Sequence, residues 1–270
     1  MRNMWNVLHD DGENAPAHDL AARRRQRLGL IVDSRRAVRL DELSAALGVS
    51  QATVRRDLDA LAATGRLRRV HGGAVAVDER LDEPQFDAKA GAAAAEKLRI
   101  GARAVELLEP DDTVYLDSGS TVLAAARLLH GWSRLTVVTN SLPAAVELAG
   151  RGPRLIVIGG ELRATSRALV GPLTRLLLDE LRVDRALMGT FALSFEDGLT
   201  TTDPAEAYTK ELVMRRAREV ILLADSSKMG TRSFVRAGDL DHVHTIVTDA
   251  GIDERTLRSL KRRGIRVITA

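Results

Sequence analysis

An N-terminal winged helix-turn-helix followed by a larger α/β domain with a mostly parallel sheet is the fold class that three features of the sequence predict. The chain has 270 residues, 45% of them hydrophobic, enough for two cores. Its first quarter carries short amphipathic helical segments, a glycine-bearing turn and a β-prone pair. The remainder alternates helix-like stretches with continuous apolar runs such as 113–116 and 219–224, the pattern of strands buried on both faces.

Composition narrows the function classes. There is no cysteine, which excludes disulfides, thiolate catalysis and cysteine-ligated metal sites and suits a reducing, cytoplasmic setting. His242 and His244 alternate across a strand-like stretch, so no metal site is expected, and no cofactor motif stands out. No stretch approaches the roughly 18 apolar residues of a membrane span, and the start lacks the apolar run of a signal peptide. Residues 1–19, polar and carrying Gly12 and Pro16, read as a flexible leader.

Residues 20–77 form the predicted DNA-binding domain. They hold twelve arginines against five acids, a balance of +7 where the whole chain carries +3, which points to a polyanion partner. Leu28, Ile31 and Val32 give a first helix over 21–31. Leu43, Ala46 and Leu47 share a face of a second helix over 40–47, and Gly48 supplies the left-handed residue that ends it. Ser50 is a good N-cap for a third helix. Val54, Leu58 and Leu61 line one side of that helix; Ala52, Arg56 and Asp59 fall opposite, with Thr53 and Arg55 on the flanks. Such a division suits a recognition helix. Its apolar face holds the domain, Arg55 and Arg56 reach guanine edges or phosphates, and Ser50, Gln51 and Thr53 sit near the helix start where phosphate approaches. The alternative is an ordinary i,i+4 pair between Arg55 and Asp59. Runs at 67–70 and 74–77 around Gly72-Gly73 predict a hairpin wing, whose Arg68, Arg69 and His71 lie against the duplex backbone.

Residues 78–88 read as an acidic linker and 89–270 as the α/β domain. Helices are expected at 97–108, 121–129, 142–149, 172–181, 205–217 and 253–262, and strands at 113–116, 135–138, 154–158, 184–188, 219–224, 244–247 and 265–269. Ligands of such sheets bind outside the carboxyl ends of the strands. The first of these ends carries Asp117, Ser118, Gly119, Ser120 and Thr121; the next two carry Asn140 with Ser141, and Gly159 with Gly160. Small hydroxyl residues and glycine at a helix start let backbone N–H groups reach a phosphate, with Lys228 as countercharge. Asp117, Asn140 and Glu206 are placed to bond sugar hydroxyls. Each motif alone also fits a plain turn and N-cap.

The run from Leu43 to Gly73 resembles the DeoR family of bacterial regulators through Gly48-Val49-Ser50, Thr53-Val54-Arg55-Arg56-Asp57-Leu58 and Arg69-Val70-His71-Gly72-Gly73-Ala74. Val54 stands where isoleucine is more usual, an apolar exchange. The loops at 117–121, 139–141 and 159–160, with Leu169-Val170-Gly171, Glu206, Lys210 and Ala224-Asp225-Ser226-Ser227-Lys228, resemble the sensor domain of the same family. Ser120 stands where threonine is common. The resemblance spans about 20–250. It implies a DNA-binding winged helix-turn-helix and a sensor similar in fold to ribose-5-phosphate isomerase, typically taking phosphorylated sugars. A repressor of a carbohydrate operon, working as a homo-oligomer on related half-sites, is therefore expected. The rival is a sugar-phosphate isomerase-like enzyme, with Asp117, Glu206 or Asp225 as base; a third reading is an architectural DNA-binding protein with a vestigial second domain.

Overall fold

The computed structural model describes residues 17–35, 37–63, 67–70, 72–76 and 83–270, and the chain divides into two units, Met1–Asp78 and Glu79–Ala270. The leader over residues 1–16 lies outside the described residues; Ala17 to Asp19, also assigned to it from sequence, already belong to the first helix.

In the first unit three helices, α1 (Ala17–Arg35), α2 (Leu40–Leu47) and α3 (Gln51–Ala63), cover a small sheet of β1 (Ala37–Arg39), β2 (Leu67–Val70) and β3 (Gly73–Ala76). Leu28 and Val32 of α1, Leu43 of α2 and Val54, Leu58 and Leu61 of α3 close one apolar core with Leu67 and Ala74. Helical spacing predicted the six helix residues among these; Ile31 and Leu47 are only partly buried, and Ala46, expected on the core face of α2, is exposed. Gly48 ends α2 at φ +64°, its N–H donating to the Ser44 carbonyl. The strand β1 was not expected: three residues carry too little periodicity, and it forms by pairing antiparallel with β3 in the order β1-β3-β2. That pairing explains Gly73, where a Cβ would stand 2.2 Å from the Val38 carbonyl oxygen.

The second unit opens with α4 (Phe86–Gly91) and α5 (Ala94–Val105), so the acidic stretch is only partly a linker. Phe86 is buried in the core and Glu83 is tied into ion pairs, because the acids there meet cations that sequence distance conceals. Then follow β4 (Thr113–Leu116), α6 (Ser120–Ala126), β5 (Thr136–Thr139), α7 (Leu142–Leu148) and β6 (Arg154–Val157). A hairpin of β7 (Glu161–Arg163) and β8 (Ala168–Val170) leads to a 3-10 turn and α8 (Arg175–Leu178), far shorter than the helix expected over 172–181. Next come β9 (Val183–Gly189), β10 (Ala192–Ser194), β11 (Gly198–Thr201), α9 (Pro204–Arg216) and β12 (Ala217–Leu223). The chain finishes with β13 (Val235–Gly238), β14 (Thr245–Thr248), α10 (Glu254–Arg262) and β15 (Arg266–Thr269).

Seven strands form one parallel sheet in the order β15-β14-β12-β9-β4-β5-β6. Alternate residues feed two cores: Val114, Leu116, Ile221 and Leu223 meet α5 and α6 on one face, and Tyr115, Val220 and Leu222 meet α9 on the other. Gly101 lets α5 close on the alanine-rich α6, for a Cβ there would lie 2.8 Å from the Ala125 nitrogen. From β4 the chain runs outward through β5 and β6, then returns to place β9 on the opposite side of β4. The strand order thus reverses between β4 and β9, and crevices open at such a switch point.

Candidate functional site

In the first unit, α3 presents what a groove-entering helix needs. Val54, Asp57, Leu58 and Leu61 are buried, while Gln51, Ala52, Arg55, Arg56 and Asp59 are exposed and Thr53 is half-buried. The Ser50 hydroxyl accepts from the Thr53 N–H at 3.3 Å and lies 3.0 Å from the Thr53 hydroxyl, so it caps the helix as expected. Among the described residues Arg55 and Arg56 have no ion-pair partner. Asp59 lies 3.4 Å from Arg69 of β2 rather than with Arg55, which sets aside the i,i+4 pair. Arg69 is therefore engaged within the unit, tying the wing to α3. Arg68 stands on β2 in register with Val75, and His71 lies outside the described residues.

Sequence reasoning missed the role of Asp57. It is buried on the inner side of α3 and accepts from Arg24 of α1, Nε to Oδ2 at 2.5 Å and Nη2 to Oδ1 at 3.3 Å. The hydrogen bond to Asp57 raises the Arg24 pKa, against the cost of burial. A charged pair at this spot fixes the angle of α3 against α1.

In the second unit the strand ends converge on the β4/β9 switch point. Register pairs Leu116 with Thr139 on one side and with Leu187 on the other, so Asp117 leaves the sheet between Asn140 and the end of β9. Asp117 Oδ2 accepts from the Gly189 N–H at 3.0 Å and from Lys210 Nζ of α9. Lys210 Nζ also donates to the Gly189 carbonyl at 3.0 Å and lies 3.6 Å from Glu206 Oε1. Asp117, Glu206 and Lys210, predicted as three separate contacts, are one buried cluster. The other oxygens at this edge are left over: Asp117 Oδ1 and Asn140 Oδ1 are buried with no hydrogen-bond partner. Buried acceptors are ordinarily satisfied, so two without partners, following adjoining strand ends, suit a ligand carrying hydroxyl donors.

The charges explain the electrostatics. Burial alone disfavours the charged form of Lys210, but Asp117 and Glu206 outweigh it and raise its pKa. Burial raises the Glu206 carboxyl, with Lys210 and Arg163 opposing and Glu83 and Asp117 adding to the rise. The Tyr115 phenol, wholly buried beneath, is pushed well up by desolvation and then by Asp117 and Glu206.

The remaining predicted contacts divide. Ser118 is buried and Gly119, Ser120 and Thr121 are half-buried where α6 opens, the first amides of a helix having no partner within it. Ser141 caps α7, accepting from the Ala144 N–H at 3.3 Å, and the Asn140 amide donates to the Leu169 carbonyl at 3.2 Å. Gly160 has a packing reason: its Cβ would stand 2.7 Å from the Val170 carbonyl oxygen, whereas Gly159 is open. Lys228 lies 5.7 Å from the centre of the Phe191 ring, a cation–π contact. Lys97 was missed, reading as one more lysine on a helix. It is buried, with Nζ donating to the Ala92 carbonyl at 2.6 Å and to the Lys89 carbonyl. Desolvation lowers its pKa, and its surroundings include Asp225, Lys228 and Lys89.

Comparison with known proteins assigns both units. The family model for the DeoR-like helix-turn-helix domain matches residues 24–80, and that for the DeoR C-terminal sensor domain matches 92–250. The HTH-type transcriptional regulator GlpR of Haloferax volcanii is 36% identical over 92% of this chain and 98% of that protein. The glycerol-3-phosphate regulon repressor of Escherichia coli is 33% identical over 79% of this chain and 84% of that one. Among solved structures, the ribose 5-phosphate isomerase of Methanocaldococcus jannaschii aligns with 49% of this chain and 53% of its own at 22% identity and a TM-score of 0.37.

Proposed function

The chain belongs to the DeoR family of transcriptional regulators, and from that premise we propose that it represses a carbohydrate operon under the control of a phosphorylated sugar. The observation that carries the effector half is the two unpartnered buried acceptors, Asp117 Oδ1 and Asn140 Oδ1, which follow adjoining strand ends at the switch point, with Lys210 paired to Asp117. Sugar hydroxyls donate to these two. The phosphate takes the amides and hydroxyls of Ser118 to Thr121, with Lys97 and Lys228 as the nearby positive charge. Glu206 and Lys210 hold Asp117 in place. Gly159, Gly160 and Ser141 shape the rim.

On the DNA side, Gln51, Thr53, Arg55 and Arg56 enter a major groove. Ser50, Arg68 and His71 belong to the phosphate-facing margin, and Arg69, expected there too, braces the wing through Asp59. The protein acts in the cytoplasm as a homo-oligomer whose paired winged units meet two half-sites. No helix among the described residues is long and apolar enough to cross a membrane.

The test is a thermal-shift series on the full chain with glycerol 3-phosphate and ribose 5-phosphate, against glycerol and ribose. Stabilisation that needs the phosphate and disappears in Asp117→Ala supports the reading. A phosphate-dependent shift unchanged in Asp117→Ala refutes the site. Turnover of ribose 5-phosphate, lost in Glu206→Gln, would favour the isomerase instead.

A further inference from the structure

Arg163, the last residue of β7, meets three carboxylates, one at each of its nitrogens. It reaches Glu83 Oε2 at 2.7 Å, Glu206 Oε2 at 3.0 Å and Asp203 Oδ2 at 3.5 Å, and donates to the Thr202 hydroxyl at 2.9 Å. Thr202 in turn donates to Glu83 Oε2 at 2.7 Å, and Glu83 Oε1 is bonded by Lys89. Burial pushes the Glu83 carboxyl up, but Lys89, Arg163 and Thr202 together hold it below the ordinary range. Its side chain is only 5% exposed and that of Arg163 14%.

The contacts therefore run unbroken from Asp117 through Lys210, Glu206 and Arg163 to Glu83. One end is the vacant acceptor at the sheet edge. The other end lies seven positions after Ala76, the last residue of β3. We propose that Arg163 and Glu83 are positioning residues that pass the occupancy of the Asp117–Lys210 site to the chain entering the DNA-binding unit, an inference that rests on the effector site proposed above. The guanidinium has five donors in a fixed plane, so bonds strengthened on its Glu206 side are weakened on its Glu83 side. Away from water such charges are poorly screened, and each feels the partners of its partners. A ligand oxygen that draws Lys210 away from Glu206 leaves Glu206 to Arg163, and Glu83 is left to Lys89 and Thr202 alone.

The test needs no ligand. In the full chain, Asp117→Asn and Glu83→Gln are combined in a double-mutant cycle. The readout is the Kd for a DNA fragment selected by the wild type from random-sequence DNA. The relay predicts that the double variant departs from the product of the two single effects by more than threefold, with Glu83→Asp restoring part of the wild-type coupling. Agreement within threefold overturns it: a merely structural role for Glu83 would show its non-additivity with Asp117 in the thermal unfolding of the same four proteins, as neighbours in one network do, and would leave the DNA Kd additive. If Glu83→Gln does not fold, as read by thermal unfolding, Arg163→Lys replaces it in the cycle, keeping the charge and losing the fork. Glycerol 3-phosphate is added to the same variants in a thermal shift: failure of the wild type to respond counts against that ligand at the proposed site, whereas the cycle decides the relay.

Discussion

Replacing Lys210 by methionine removes the one cation that Asp117 and Glu206 share while keeping most of the length of the side chain. The ammonium is 3% exposed, so water does not take its place, and both carboxylates stay buried. Breaking such a pair by removing one partner costs about 3–5 kcal/mol, far more than a surface ion pair. For a domain of about 150–250 residues each kcal/mol lowers Tm by about 2–4 °C, so a fall of roughly 6–20 °C is expected. The pH dependence sharpens the prediction. Burial already raises the Glu206 carboxyl above its unfolded value, and the substitution raises it further. A group whose folded pKa exceeds its unfolded one binds protons more tightly when folded. Its favourable contribution is complete below the unfolded pKa and is lost as pH rises through the folded one. The deficit of Lys210→Met is therefore larger at pH 7 than at pH 5, where the stranded carboxyl is more often protonated. Thermal unfolding of the full chain at both values reads this. A Tm within 2 °C of wild type at pH 7, or a deficit that grows on acidification, refutes the account of the cluster.

Three further outcomes follow from the two units. Arg56→Ala should weaken operator binding by about 1–3 kcal/mol and relax preference at one base position if the side chain reads an edge; unchanged affinity by fluorescence anisotropy would mean that α3 enters the groove by another face. Gly73→Ala sets a Cβ 2.2 Å from the Val38 carbonyl and should part β1 from β3, so faster amide exchange at Ala37–Arg39 is expected, and unaltered exchange would contradict the close approach. Lys97→Met should leave DNA affinity in the absence of sugar within twofold while weakening phosphate-dependent thermal stabilisation at least tenfold in ligand concentration; equal response to ligand would remove Lys97 from the phosphate side of the site.

The elements that sequence revealed are those whose physics is local. The core faces of α1, α2 and α3 follow from a 3.6-residue period, Gly48 and Ser50 from the conformations that end and start helices, and the seven parallel strands from uninterrupted apolar runs. Asp117 and Asn140 were found because a parallel sheet has one carboxyl edge and they follow its strands. What stayed hidden depends on pairing across distance. Lys210 and Asp117 are 93 positions apart, and their ion pair exists only once α9 lies against the parallel sheet. Glu83 read as linker because its cations, Lys89 and Arg163, stand on a short helix and a three-residue strand that leave little pattern. Gly160 shows the opposite failure: glycine near a strand end reads as a ligand loop, but here the approach of Val170 also demands it. The strand order itself, with its reversal between β4 and β9, is set by which loop crosses back and has no local signature.

A cluster of buried charges is a poor source of stability, since desolvation consumes most of the attraction, and replacing it by apolar side chains often costs nothing. Its presence between β4, β7 and α9 is better understood through what an apolar core cannot do. Packed hydrocarbon resists small displacements, whereas a guanidinium set among three carboxylates can strengthen its bond to one at the expense of another. One hydrogen bond to a charged group contributes about 1.5–3 kcal/mol, and an allosteric coupling of about 1–3 kcal/mol changes affinity roughly 5–150-fold. Redirecting a single bond of Arg163 from Glu83 to Glu206 is therefore large enough to account for a regulator's response. No rearrangement of the sheet is required, and the parallel core can remain rigid while Glu83 passes from Arg163 to Lys89 and Thr202.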